Sequence, residues 1–218
     1  SPEAFDEVFW RNCAGGDYIK NNHLEPHTSK PELIKKYQRY VSSILHRYGK
    51  SRYLSKNNNN ILRIKSIVDA FPNAFLLVPF RCPLEQSTSL LNQHNRLLNL
   101  QENNSFIKHY MNWLGHHEFG SDHKPFNLTD KIEAHYNLGS IDYWLEQWIL
   151  TYDFVLKCYQ EFTARMILIC YEQLCDDRLS TWDLLLTKLN IDTRCGRPDF
   201  RPRRTEAIQG ANPRLLST

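Results

Sequence analysis

The feature that most constrains the fold is a short apolar run, residues 74–80 (AFLLVPF), with a helical pattern on each side of it. Before it, residues 60–70 place apolar side chains at helical spacing, and Pro72 prevents that helix from continuing. After it, residues 83–99 carry a leucine stripe with a helical period. An unbroken apolar run of this length is typical of a strand that is buried on both faces. Helix, strand and helix in such close succession predict an α/β fold with a parallel sheet.

The periodicity of the rest of the chain predicts further elements of the same two kinds. Only 8 Gly and 10 Pro among 218 residues favour long regular elements over an all-β fold rich in tight turns. The asparagines at 57–60 predict a loop that caps the N-terminus of the helix at 60–70. Further helices are predicted at 31–48, near 104–114 within the otherwise irregular stretch 101–139, at 141–162 and at 179–189, and a second buried strand at 165–174.

Length and charge limit the class of protein. A chain of 218 residues predicts a single domain, residues 1–218. The net charge of +3 gives no signal for nucleic-acid binding but suits an anionic ligand that is held by a few local cations. No apolar run approaches the roughly 18 residues that a membrane-spanning helix needs, so we expect no span. The six cysteines form no CxxC pair, which predicts free, mostly buried thiols and a cytoplasmic location.

Three side chains near the first predicted strand could hold an anion. Arg81 follows the strand directly, at the edge where open α/β sheets bind their ligands. Ser89 lies about two turns into the next helix, on a face that can point back toward the strand end. Lys56 precedes another helix N-terminus, where the helix dipole also attracts anions. An arginine fork, a hydroxyl and a lysine around one crevice predict a phosphate site.

Two blocks, about residues 50–95 and 140–192, resemble the sulfotransferases that use 3′-phosphoadenosine 5′-phosphosulfate, above all their bacterial and tyrosylprotein-type branches. The family's lysine motif, its FP-x-A turn, its apolar strand and its R-x-P motif with a serine eight residues after the arginine all have matches. A later strand ending in tyrosine, glutamate and leucine matches as well, and the two blocks together span about half of the chain. The matching segments are Lys56-Asn57, Arg63-Ile64, Phe71-Pro72-Asn73-Ala74, Phe75 to Phe80, Arg81-Cys82-Pro83, Ser89 and Ile167 to Leu174.

The resemblance implies a P-loop-like, three-layer fold and a reaction without a metal ion. By it, Arg81 and Ser89 hold the 3′-phosphate of the nucleotide, and Lys56 stabilises the charge that develops on the leaving phosphate. Arg203, a cation separated from Gly210 by six residues, matches a loop that covers the nucleotide in related enzymes. The acceptor is then a hydroxyl on a small molecule, a glycan or a peptide, and a Glu or His near it acts as the general base.

One part of the family pattern has no match. The family binds the 5′-phosphosulfate with a strand–loop–helix rich in Gly, Ser and Thr, and the only glycine pair here is Gly15-Gly16. We therefore expect the loop to lie upstream of Ser1 in the natural protein. The alternative is a non-catalytic module that keeps the 3′-phosphate site. A nucleotide kinase would need a Walker lysine loop, which this sequence does not show. Nucleic-acid binding is suggested only by the basic tail.

The histidine-rich stretch predicts a polar loop in preference to a metal site. The spacing matches no HExxH arrangement, although one of these side chains could lie at the acceptor site. The residues concerned are His109, His116, His117, Glu118, Asp122 and His123.

Overall fold

Helices form most of the structure, a computed structural model that describes residues 4–129, 137–176, 180–192 and 196–201. Two short strands lie among them and pair in parallel. The fold is therefore a mixture of helix and strand with a small parallel sheet, as an α/β class requires. In chain order the elements are α1 (Ala4–Tyr18), α2 (Pro31–Tyr48), a 3₁₀ segment (Asn58–Arg63), α3 (Ile64–Ala70), β1 (Leu76–Phe80), α4 (Pro83–Asn103), α5 (Ser105–Leu114), α6 (Ile141–Glu161), β2 (Met166–Cys170), α7 (Tyr171–Cys175) and α8 (Thr181–Lys188).

The two strands run in register from Leu76 opposite Met166 to Phe80 opposite Cys170. Helices α3 and α6 pack on them, because Ile64 and Val155 form one apolar cluster with Met166, Leu76 and Val78. The strand prediction at 74–80 is confirmed, but the expected burial on both faces is not. The residues of β1 are half-buried and Pro79 is exposed. A proline has no N–H for a sheet ladder, so it is typical of a strand at an edge.

The helix signals correspond closely to the structure. Pro31 stands at the N-terminus of α2, and Gly49 ends that helix at φ 58°, a left-handed conformation that glycine adopts without strain. Asn57 caps the next segment, since its side chain accepts a hydrogen bond from the N–H of Asn59. The single helix expected at 60–70 is wrong in one respect. It begins as a 3₁₀ segment and becomes α-helical only after Arg63, which has φ −138° and ψ 26°.

Two other predictions are corrected. The second strand ends at Cys170 and does not reach Leu174, because Tyr171 and the residues after it turn into α7. The expectation of mostly buried thiols is also wrong. All the cysteines that the structure describes are free, but Cys82 is exposed and the others are only half-buried. In the described residues, no helix is long and apolar enough to cross a membrane.

Candidate functional site

The carboxyl ends of β1 and β2 bring two distant motifs together. Parallel strands end at the same edge, so Arg81 after β1 and Glu172 after β2 become neighbours. The backbone N–H of Cys82 donates to Glu172 Oε1 at 2.8 Å, and the Cys170 thiol donates to Glu172 Oε2 at 3.2 Å. Burial alone raises the pKa of Glu172, but these hydrogen bonds and the nearby Arg81 charge lower it overall. An ionised Glu172 thus joins the two strand ends.

Arg81 and Ser89 lie on the same strand–helix unit. The Arg81 guanidinium is 17% exposed, and its Nη2 lies 3.2 Å from Glu85 Oε2. Ser89 is half-buried and stands one helical turn after Glu85, so both occupy one face of α4. The pairing of Arg81 with Glu85 is what a purely structural arginine at a strand end would show. A phosphate at this edge must therefore share the guanidinium with Glu85.

Lys56 lies on the segment that precedes the 3₁₀ turn. Its side chain is exposed, and its charge is close enough to His116 to affect the titration of that ring. The Lys56 charge therefore lies near the His116 ring, and Arg81 and Ser89 belong to the strand edge. Arg203, the remaining predicted site residue, lies outside the described residues.

His116 and Glu118 form a pair in which the Glu118 carboxylate orients the His116 ring, as a general base requires. His116 Nδ1 lies 3.2 Å from each carboxylate oxygen of Glu118, and Asn58 Nδ2 donates to Glu118 Oε1 at 3.3 Å. The hydrogen bond to Glu118 raises the pKa of His116, against the opposing effect of burial. Burial raises the pKa of Glu118, but the contact with His116, together with hydrogen bonds from its own backbone and from Asn58, lowers that pKa overall. The pair leaves Nε2 of His116 as the ring nitrogen that can take a proton from elsewhere.

A buried ion pair lies beneath the loop that carries Lys56. Glu7 on α1 and Arg63 are each 1% exposed, and their contacts are bidentate, with Nη1–Oε2 at 3.0 Å and Nη2–Oε1 at 3.2 Å. The guanidinium carbon lies 4.8 Å from the ring centroids of both Trp10 and Tyr18. Tyr18 donates its hydroxyl hydrogen to Glu7 as well. A desolvated charge is costly unless it is paired and hydrogen-bonded, and here both charges are.

The acids of α1 fix the segment before the 3₁₀ turn. Asp6 accepts hydrogen bonds from Tyr53 at 3.0 Å and from Ser55 at 2.7 Å. Glu7 Oε2 accepts from Asn57 Nδ2 at 2.6 Å. Side chains alternate along an extended segment, so three inward contacts at 53, 55 and 57 turn Lys56 to the opposite, exposed side. The position of Lys56 is thus set by its neighbours.

Sequence reasoning identified Lys56, Arg81 and Ser89 but not their surroundings. No local pattern assigns a role to Glu7, and His116 and Glu118 belong to the histidine-rich stretch that predicts a polar loop. The signal for the segment was present in Tyr53-Leu54-Ser55-Lys56-Asn57, where polar hydrogen-bonding side chains alternate with Leu54, which is 87% exposed, and with Lys56. The partners of these side chains lie on α1, about fifty positions away in sequence, and no local pattern indicates them.

No group of three or more His, Cys, Asp or Glu side chains in the described ranges is arranged to hold a metal ion. Comparison of the chain with models of known protein families, with curated protein sequences and with solved structures finds no match.

Proposed function

We propose that this chain is part of a P-loop-like sulfotransferase, which transfers a sulfuryl group from 3′-phosphoadenosine 5′-phosphosulfate to a hydroxyl of an acceptor. The observation that carries the proposal is the junction of the R-x-P motif and the tyrosine–glutamate motif at one sheet edge. Cys82 and Glu172 are 90 residues apart, yet they form a 2.8 Å hydrogen bond at the ends of two parallel strands. Both motifs belong to the family resemblance, and chance matches need not meet in space.

In this proposal Arg81 and Ser89 hold the 3′-phosphate. The guanidinium presents its donors in a planar fork that matches phosphate, and the hydroxyl of Ser89 adds a further donor. The partial burial of Arg81 strengthens such a contact because water screens it less. Arg203 keeps its predicted role of covering the nucleotide.

Lys56 and His116 divide the chemical step between them. The acceptor oxygen attacks sulfur and forms the new O–S bond, and the S–O bond to the 5′-phosphate breaks. Negative charge then grows on the leaving phosphate oxygen, where the Lys56 ammonium stabilises it. The acceptor proton passes to Nε2 of His116, since Nδ1 faces Glu118. A base whose pKa is raised from 6.5 suits a reaction near neutral pH.

A second candidate function is nucleotide binding without transfer. It is favoured by the position of Gly15 and Gly16, which lie inside α1 and not in a loop between a strand and a helix. The two candidates agree on the 3′-phosphate site and differ on turnover, so they can be separated by experiment.

The first experiment measures nucleotide binding by calorimetry. Arg81→Ala should weaken binding of 3′-phosphoadenosine 5′-phosphate by roughly ten- to hundredfold, because a charge-assisted hydrogen bond contributes about 1.5–3 kcal/mol. Adenosine 5′-phosphate, which lacks the 3′-phosphate, should bind the variant and the parent almost equally. Arg96→Ala is the control, since Arg96 is an exposed arginine on the same helix. Equal losses for the two nucleotides would exclude the 3′-phosphate assignment.

The second experiment measures transfer by the full natural chain. The donor carries a radioactive sulfur, and the acceptors are panels of phenols, sugars and peptides. Lys56→Ala should lower the turnover rate by roughly 10²–10³-fold, the effect of removing one transition-state donor, with a much smaller change in donor affinity. Lys65→Ala is the control because Lys65 is exposed on α3. Arg81-dependent binding without any transfer would favour the second candidate.

A further inference from the structure

An open groove, the α1 groove, lies along the second half of α1. Its volume is about 580 Å³, within the range of ordinary ligand sites. None of the described residues that line it is acidic. Its charged and polar lining comes from Arg11, Asn12, Asn112 and His117, and its apolar lining comes from Ile19.

Arg11 brings to the groove a positive charge that no acid of the protein neutralises. Its side chain is half-buried, and its Nη1 donates to the Trp113 carbonyl at 3.3 Å. Arg63 and Arg81 are each paired with a glutamate, whereas Arg11 forms no ion pair with any carboxylate of the described residues. Because a guanidinium carries several N–H donors in a planar fork, most of the Arg11 fork remains open to a ligand.

His117 presents a hydrogen-bond acceptor at the surface of the groove. Its side chain is only 8% exposed, and its Nδ1 lies 3.0 Å from Asp122 Oδ2. Nδ1 is enclosed, but Nε2 keeps contact with solvent and has no hydrogen-bond partner among the described residues. Burial lowers the pKa of His117, against the opposing charge of Asp122. The ring is therefore neutral near pH 7, with its proton on Nδ1 toward Asp122 and a lone pair on Nε2.

The end of α1 favours a positive group over a second negative one. The helix ends at Tyr18, so Gly15 and Gly16, which also line the groove, lie at the negative end of its dipole. The Lys20 ammonium shows this preference, because it donates to the Gly16 carbonyl at 3.0 Å. Arg11 lies one helical turn, about 6 Å, before Gly15. The groove thus offers a site for an anion close to a site for a cation, and a phosphate or a dicarboxylate would meet only one guanidinium.

From the open guanidinium of Arg11 and the unpartnered Nε2 of His117 we infer that the α1 groove binds a free α-amino acid. The carboxylate of the ligand pairs with Arg11, and its ammonium donates to Nε2 of His117 near the negative end of α1. The amides of Asn12 and Asn112 hydrogen-bond these two groups, and Ile19 packs on the ligand's side chain. Amino-acid binding does not depend on the proposed function, which uses none of these residues.

The test measures binding of L-leucine, L-phenylalanine and L-glutamine to the whole chain by calorimetry and saturation-transfer NMR. The parent protein should bind at least one of them. The amide of that amino acid, which lacks the carboxylate, and the matching acid without its amino group should each bind at least about tenfold more weakly, because each loses a charge-assisted contact.

Arg11→Gln should weaken binding of the amino acid by a similar factor, but its amide should bind this variant and the parent almost equally. Arg39→Gln is the control, since Arg39 is an exposed arginine on α2. Gly16→Leu is a second variant that fills the groove. A Cβ at Gly16 would meet nothing within 4 Å, so this variant should lose amino-acid binding while its thermal midpoint stays equal or rises.

Three results would overturn the inference. They are a parent protein that binds none of the three amino acids, analogues that bind as tightly as the amino acid itself, and an Arg11→Gln or a folded Gly16→Leu variant that binds as the parent does. Arg81→Ala should bind the amino acid as the parent does, because Arg81 does not line the groove. Loss of nucleotide binding in Arg81→Ala therefore bears on the proposed function alone, and loss of amino-acid binding in Arg11→Gln bears on the groove alone.

Discussion

At the scale of single residues, two buried carboxylates position the exposed ammonium of Lys56. Asp6 and Glu7 are 2% and 1% exposed, and each directs its hydrogen bonds to the segment around Lys56. Hydrogen bonds to charged groups contribute about 1.5–3 kcal/mol each, more than neutral ones do. A lysine that is held on both sides in this way loses little backbone freedom when it meets a ligand. This arrangement suits a group that must stabilise charge at one defined point.

The buried ion pair gives a direct prediction for stability. Glu7→Gln leaves the Arg63 guanidinium in the core without its carboxylate, so the free energy of unfolding should fall by roughly 3–5 kcal/mol. Urea denaturation measures this change. Combining it with Arg63→Met removes both charges and should restore part of the loss. Asp69→Asn is the matched control, because the exposed Lys65–Asp69 pair should contribute no more than about 0.5 kcal/mol.

The change in the free energy of unfolding shows whether the Glu7–Arg63 ion pair stabilises the core. If Glu7→Gln is no more destabilising than Asp69→Asn, the 3.0 Å and 3.2 Å contacts of Arg63 do not hold the core together.

At the scale of elements, the sequence predicted those whose periodicity is set by apolar burial. Helices α2, α4, α5 and α6 and both strands lie where the apolar spacing placed them. In α2 and α6 the buried residues are apolar or aromatic, whereas α4 buries Ser87, Thr88 and His94 beside Leu91. End signals such as Pro31 and Gly49 act locally. Apolar spacing and end signals are sufficient to predict an element when the face that packs on the core is also its apolar face.

Helix α1 shows why the same rule misses other elements. Its inward face carries Asp6 and Glu7 beside Trp10 and Tyr18, so its buried positions do not form an apolar stripe. The partners that make this burial tolerable, Arg63 among them, lie far along the chain. In the candidate site too, some residues can be predicted from local spacing and others depend on contacts between distant segments. Arg81 and Ser89 follow from spacing within one strand–helix unit, whereas the pairing of His116 with Glu118 beside Lys56 depends on how distant loops come together.

At the scale of the whole molecule, the buried His94 and the half-buried His123 tie the loop after α5 to the helical core. His94 on α4 is 2% exposed and accepts a hydrogen bond from the N–H of Gly120. His123 Nε2 lies 2.5 Å from the Tyr143 hydroxyl, and its ring centroid is 5.6 Å from that of His94. Burial, and then the His94 charge, lowers the pKa of His123 to about 4, and burial lowers the pKa of His94 as well.

These shifts make the folded state sensitive to acid. Below pH 6.5 the unfolded chain protonates His123 while the folded protein does not, so the free energy of unfolding should fall as the pH drops toward about 4. His123 alone can contribute about 3 kcal/mol to this loss, which levels off once the folded form is protonated too. Urea denaturation across this range measures the slope against pH. His123→Gln should reduce the slope by roughly one proton, whereas His46→Gln, at an exposed position on α2, should leave it unchanged. An unaltered slope in His123→Gln would show that this histidine does not couple folding to pH.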